Sequence, residues 1–383
     1  MVALAVRDET ARTAAVAVAR HAADIDAAAA LVFSSAPGIE PDSFARACSE
    51  EAPGLRVLGC STAGEMTPEG IGEGTMLSLI LPGDAFFLST LTIENCTTSD
   101  MDAVAEGVAR LRERHLLAAP RDEATFALCL IDGMSYCEEK ITAAIFWGLN
   151  DIPLIGGSAG DQLAFRETHV MADGTARTDR AVVAMITTGV PFRIFKSDNF
   201  VPMETKFVVT ASDPDRRVVM ELNARPAAVE YAEAVGRPIE ELDQPGFASH
   251  PVVVRVGGEQ FCRAIRGLDE ETGALLFACA IDDGVVLTLA EARGMVDSTS
   301  RAMRSLDDEL GGIDFVLGFD CAYRRIDAAN RQVLRKMSDL YQAYNVVGFG
   351  TYGEQYHSMH LNQTLTGVAF GRRVPGVCSE AAE

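Results

Sequence analysis

The strongest constraint in this sequence is a pattern that recurs three times: an apolar strand, a helix, a second apolar strand and a glycine-rich loop, followed by a further strand. The first copy runs from AALVFSSA (28–35), through a helix opening near Pro41 and Asp42, to LRVLG, and ends in the loop GCSTAGE (59–65). The second has TFALCLIDG (125–133), the helix YCEEKITAAIFWGLN, the strand IPLIG and the loop GGSAGD (156–161). The third has DFVLGFDCA (314–322), the helix ANRQVLRKMSDLYQAY, the strand NVVG and the loop GFGTYGE (348–354). Phe33 to Gly59 and Leu130 to Gly156 both span 26 residues, and Leu317 to Gly348 spans 31 around a longer helix. The strands TMLSLILPG, RAVVAMITTG and QTLTGVAFG close the copies. Helical crossovers between apolar strands favour right-handed, parallel pairing. The expected fold class is therefore α/β: three β-α-β-loop-β repeats with largely parallel strands, plus a β-rich α+β region.

That region lies between the second and third copies, where KFVVTASD, RRVVMEL, HPVVVRV, QFCRAIRGL, ALLFACAI and GVVLTLAEA read as strands. ARPAAVEYAEAVG and GMVDSTSRAMRSLDDEL read as helices, the first opened by a proline in its first turn. The alanine-rich start (1–26) reads as a helix, and 372–383 as a frayed tail. No stretch of eighteen apolar residues suggests a membrane span, and the start lacks the pattern of a signal peptide. Nine cysteines, odd in number, irregularly spaced and without a C-x-x-C, read as reduced core thiols of a cytoplasmic protein. A net charge of -22 repels phosphate backbones and anionic membranes, leaving proteins (a second copy included) and small molecules as partners.

Two loops contain familiar strings. GGSAG (156–160) is a literal G-x-S-x-G, which in a hydrolase would make Ser158 a nucleophile. Such an elbow leads into a helix, whereas DQLAFRETHVMADGTA has no helical period. GFGTYG (348–353) is a literal G-x-G-x-x-G, but a polar stretch and a strand follow it in place of a phosphate-binding helix. Neither string supports an enzyme. Glycine at a turn has a structural explanation, in close backbone approach or positive φ. The loops also share a feature that favours binding: each ends in an acid, Glu65, Asp161 and Glu354, at the C-terminal end of a strand. With the hydroxyls of Ser61, Thr62, Ser158 and Thr351 they form a candidate site for a polar small molecule.

GCSTAGE, GGSAGD, ELNARPA (221–227) and GFGTYGEQYHSMHLNQTLTG (348–367), in this order, resemble the FIST sensory domain over about residues 27–371. Ala224 stands where the family pattern often has glycine. The resemblance implies a FIST N-terminal domain over 27–224 and a FIST C-terminal domain over 225–371. It implies a non-catalytic sensor of small ligands that works with a histidine kinase or a cyclic-di-GMP enzyme. Stand-alone members are similar to the nitric-oxide-sensing haem protein class NosP, which implies haem b and regulation of a histidine kinase in a two-component system. A b-type site needs an axial donor; His360, and after it His357, both in YHSMHLN, are the candidates. His21 and His115 sit in charged helical stretches and read as solvated; His169 and His250 border strands with no ligand cluster nearby. The alternative is a haem-free pocket for an amino acid or similar polar metabolite.

Overall fold

The computed structural model describes residues 1–7 and 9–372; the expected tail at 373–383 lies outside them. Each copy of the pattern becomes a unit built around one core strand: Ala27–Ser34 in unit I, Ala124–Ile131 in unit II and Ile313–Cys321 in unit III. The core strand pairs in parallel with the strand after the crossover, Arg56–Ser61, Leu154–Ser158 and Val346–Thr351 respectively. Parallel pairing goes no further among the described residues. The return strands Met76–Pro82, Arg180–Thr188 and Leu365–Gly371 join the other side antiparallel, and each sheet is therefore mixed.

Each glycine loop opens a short hairpin, and that hairpin leaves its own unit. The hairpin Glu65–Thr67/Gly70–Gly72 of unit I joins the edge of the unit III sheet. The hairpin Glu354–Tyr356/Met359–Leu361 of unit III joins unit II, and Val170–Ala172/Thr175–Arg177 of unit II joins unit I. The exchange is cyclic and gives three six-stranded sheets the same strand order. It also covers one edge of every sheet, where exposed backbone groups would otherwise invite aggregation.

The core strands read as unbroken apolar runs because both faces are buried. Alternate residues serve different neighbours. Leu31 and Phe33, Leu128 and Leu130, and Leu317 and Phe319 all point to one shared centre, where Phe33 stacks on Phe349 at 4.5 Å between ring centroids. Ala30 and Val32 face the helices of unit I, and Ala127, Cys129 and Ile131 those of unit II.

The amino terminus differs from the expected single helix. Val2–Val6 is a strand on Met76–Pro82, and the helix is Ala11–Asp24, opened by a reciprocal side-chain cap between Thr10 and Thr13. The long helix expected in unit III is two, Ala322–Asn330 and Leu334–Ala343. Gln332 takes a left-handed φ of 58° between them, and Val333 N–H donates to Ala328 O at 2.8 Å, a helix-ending turn in which glycine is usual.

The β-rich region is an insertion within unit III, between its outer strand Phe192–Ser197 and its helix Met295–Leu310. The insertion forms its own eight-stranded sheet with its own core, including Phe207, Tyr231, Phe247 and Phe277. The division expected at 224/225 falls inside this sheet, where Leu222 pairs with Arg225.

Candidate ligand-binding site

The three glycine loops meet at the C-terminal ends of the core strands and are bonded into a closed ring. Ala63 N–H donates to Gly350 O (2.8 Å) and Gly350 N–H to Gly64 O (2.7 Å). Gly160 N–H donates to Ser61 O (2.9 Å), and Ser158 N–H to Gly353 O (2.8 Å). Each loop thus binds both others. A Cβ added to Gly160 would lie 2.8 Å from Ala63 N, and one added to Gly350 2.8 Å from Ala63 O. At both positions glycine permits backbone to approach backbone.

The ring brings together all seven residues expected to bind ligand, and their polar groups bond largely to one another. Glu65 is buried and accepts from Thr62 Oγ1 and from Ser35 Oγ (2.8 Å). Glu354 is buried in the same way, accepting from Thr351 Oγ1 and from Thr364 Oγ1 (2.7 Å). Burial pushes the Glu65 carboxyl up to about 7 and that of Glu354 to about 8, against the hydrogen bonds that favour the charged form. Loop II is one residue shorter and has Ala159 in register with Thr62 and Thr351. Its acid, Asp161, caps a turn, accepting from the backbone N–H groups of Phe165 (2.8 Å), Arg166 (2.7 Å) and Glu167 (3.0 Å), and from the Tyr352 hydroxyl. Ser61 Oγ accepts from His169 N–H at 2.9 Å, and Ser158 Oγ from Gln355 Nε2 at 2.9 Å.

Beside the ring the insertion closes over units II and III and leaves a crevice of about 20 Å³. Tyr136 and Phe165 line it from unit II, Tyr323 and Tyr352 from unit III, and Arg217 and Arg266 from the insertion. Phe165 stacks on Tyr352 at 4.6 Å, and the guanidinium carbons of Arg217 and Arg266 lie 4.9 and 5.3 Å from the centre of the Tyr136 ring. Arg217 crosses the interface to Glu138 (2.5 Å) and Glu139 (2.8 Å). Burial holds the Glu138 carboxyl up near 7 even beside this cation. Arg266 donates to the Tyr136 hydroxyl at 2.8 Å and has no carboxylate partner among the described residues. Three donors here are buried without a hydrogen-bond partner: Arg266 Nε, Arg217 Nε and the Tyr323 hydroxyl. A larger recess of about 200 Å³, lined by Ala3, Leu79, Phe315 and Val347 among others, opens at the other end of the strands and contains no such orphaned donor.

The FIST N domain matches residues 28–225 and the FIST C domain residues 227–357. The chain belongs to the FIST family. FIST domains are sensory domains that bind small ligands in signalling. The chain is also similar to the crystal structure of the cyanuric acid hydrolase from A. caulinodans, at 10% identity and a TM-score of 0.32, over 97% of this chain and 99% of that one. No curated protein matches it. No helix among the described residues is long and apolar enough to cross a membrane.

In this FIST protein His360 is only 4% exposed, and its ring lies against the backbone of Gly353, where an added Cβ would overlap it. Its Nδ1 faces Gln355 Nε2 at 3.2 Å, which places the proton of the neutral ring on Nε2, an orphaned buried atom. Burial pulls its pKa down to about 4. The crevice nearby is about 20 Å³, against the several hundred Å³ of ordinary cofactor pockets, so the surroundings of His360 do not fit a haem in this arrangement. His357 sits at the hairpin turn with φ 52°, half-buried, its ring 4.4 Å from that of Tyr356. His115, expected to be solvated, is fully buried, with Nε2 2.8 Å from Thr187 Oγ1. Ser158 is buried and its hydroxyl meets the Gln355 amide; no histidine contacts it and no helix follows it, so the hydrolase reading lacks both of its requirements. Of the crevice residues, only Tyr352 lay in a sequence motif. Isolated tyrosines and arginines carry no spacing signal that marks them out.

Proposed function

We propose that this FIST domain is a non-catalytic sensor whose ligand enters the crevice between the insertion and the loop ring. A signalling enzyme, a histidine kinase or a cyclic-di-GMP enzyme, would read its ligand state. The observation that carries this reading is the set of three orphaned donors in one crevice, where two separately cored bodies meet at the strands' C-terminal ends. Buried donors without partners are costly and are rare in native proteins. A ligand that bridges the insertion and the body also has the differential contacts needed to shift a conformational equilibrium. The test is thermal stabilisation by a panel of polar metabolites. A ligand at a hundredfold excess over its Kd stabilises by about 2.7 kcal/mol. Ala278→Leu, which fills the crevice, should abolish the response. A response that survives this variant places the ligand elsewhere.

A haem-b, nitric-oxide-sensing version rests on the family resemblance and on His357, the histidine of the expected pair that is partly accessible. Haem bound there supplies a centre that takes up nitric oxide. Reconstituted protein should then give a stoichiometric Soret band that His357→Ala shifts, while His360→Ala leaves it in place. Absence of the band, or a band unaffected by His357→Ala, removes this version.

A further inference from the structure

We infer that the crevice takes a small carboxylate, held by Arg266 and the Tyr323 hydroxyl. This rests on the crevice being the sensor's ligand site and adds the chemical class of the ligand. The two cations of the crevice differ in their partners. Arg217 is neutralised by Glu138 and Glu139 and also donates to Ala278 O at 2.9 Å. Arg266 has a tyrosine hydroxyl and the face of the Tyr136 ring, and no counter-charge among the described residues. A cation partly withdrawn from water without an anion is a standing cost. Opposite it, Tyr323 is 4% exposed with its hydroxyl orphaned, and the positive charge of Arg266 reaches that hydroxyl. A carboxylate has two oxygens and about four lone-pair sites, enough to accept from Arg266 Nε and Tyr323 together. The volume, about 20 Å³, holds one such head group, and the aromatic walls of Phe165 and Tyr352 suit an apolar remainder once the insertion moves outward.

The donors come from different bodies, Arg266 from the insertion and Tyr323 from unit III. The carboxylate therefore fastens one to the other, as Arg217 with Glu138 does between the insertion and unit II.

The experiment titrates the full chain with acetate, pyruvate and benzoate at constant ionic strength. Chloride, phosphate, acetamide and benzamide serve as controls, with melting temperature as the readout. At least one carboxylate should stabilise the protein, and its amide should not. Tyr323→Phe deletes an orphaned hydroxyl, so the ligand-free melting temperature should stay the same or rise. The carboxylate's half-saturation should rise about tenfold, as expected for losing a hydrogen bond to a charged group. Arg266→Lys should weaken the same ligand while keeping the charge. An amide that binds as well as its acid overturns the carboxylate class and leaves the crevice standing. Carboxylate binding unchanged in Tyr323→Phe overturns the assignment to these residues. If no carboxylate stabilises the protein, the class falls, and the Ala278→Leu response to the metabolite panel separately decides whether the crevice is a site at all.

Discussion

Glu65 and Glu354 occupy the same place in two units, each at the start of an exchanged hairpin and each bonded by the threonine three residues before it. Their burial follows from the exchange, since each carboxyl is carried into the seam between two sheets. An acid whose folded pKa lies above its unfolded value holds a proton that the unfolded chain has already lost. Its contribution to stability is full below the unfolded pKa and declines as pH rises to the folded one. For Glu354 that window runs from its ordinary 4.5 to about 8. Glu354→Gln, which keeps shape and removes the ionisation, should gain on the wild type as pH rises through this window, by roughly 1.4 kcal/mol per pH unit at most. Denaturant midpoints measured from pH 5 to pH 8.5 check this. A stability difference that stays constant with pH would show that Glu354 is ionised in the folded protein.

At the scale of elements, the sequence exposed the repeated strands and crossovers because strands buried on both faces read as continuous apolar runs. It did not expose partner choice. Nothing in EMTPEG or VMADGTA says that these hairpins pair with another unit's sheet, because short strands carry little periodicity and exchange is decided by tertiary fit. The strand Val2–Val6 was hidden in an alanine-rich stretch for a related reason, since a short apolar run suits helix and strand alike. The break at Gln332 was invisible because a glutamine occupies the left-handed position that glycine normally marks. The acids at the loop ends were legible as a pattern, but their role depends on one residue of register. Where the loop keeps Thr62 or Thr351 the acid is buried, and where Ala159 replaces threonine in a shorter loop the acid caps a turn. The crevice was the least legible part, because its residues come from three separate stretches of chain and only the fold brings them together.

At the scale of the whole molecule the insertion is a second body attached at adjacent points. Its first and last strands begin and end as partners, Phe200 opposite Ala292, and Arg293 N–H donates to Asn199 O at 2.9 Å across the base. Chain ends that meet in this way can be joined by a tight turn without strain in either body. The three-unit body has its own shared core and its own ring of loop hydrogen bonds, neither of which uses a residue of the insertion. Replacing Phe200–Ala292 by a two-residue Asn-Gly turn should therefore leave a folded, cooperative protein. Its melting temperature should be lowered by the loss of the Arg217–Glu138 contact and by exposure of Tyr323 and His360, which the insertion covers. The same protein should lose its response to any crevice ligand, since Arg217 and Arg266 leave with the excised segment. Circular dichroism, cooperativity of unfolding and the ligand-induced shift measure the three outcomes. An excised protein that cannot fold would show the insertion to be part of the body's core, and one that still responds to ligand would move the sensing site into the ring of loops.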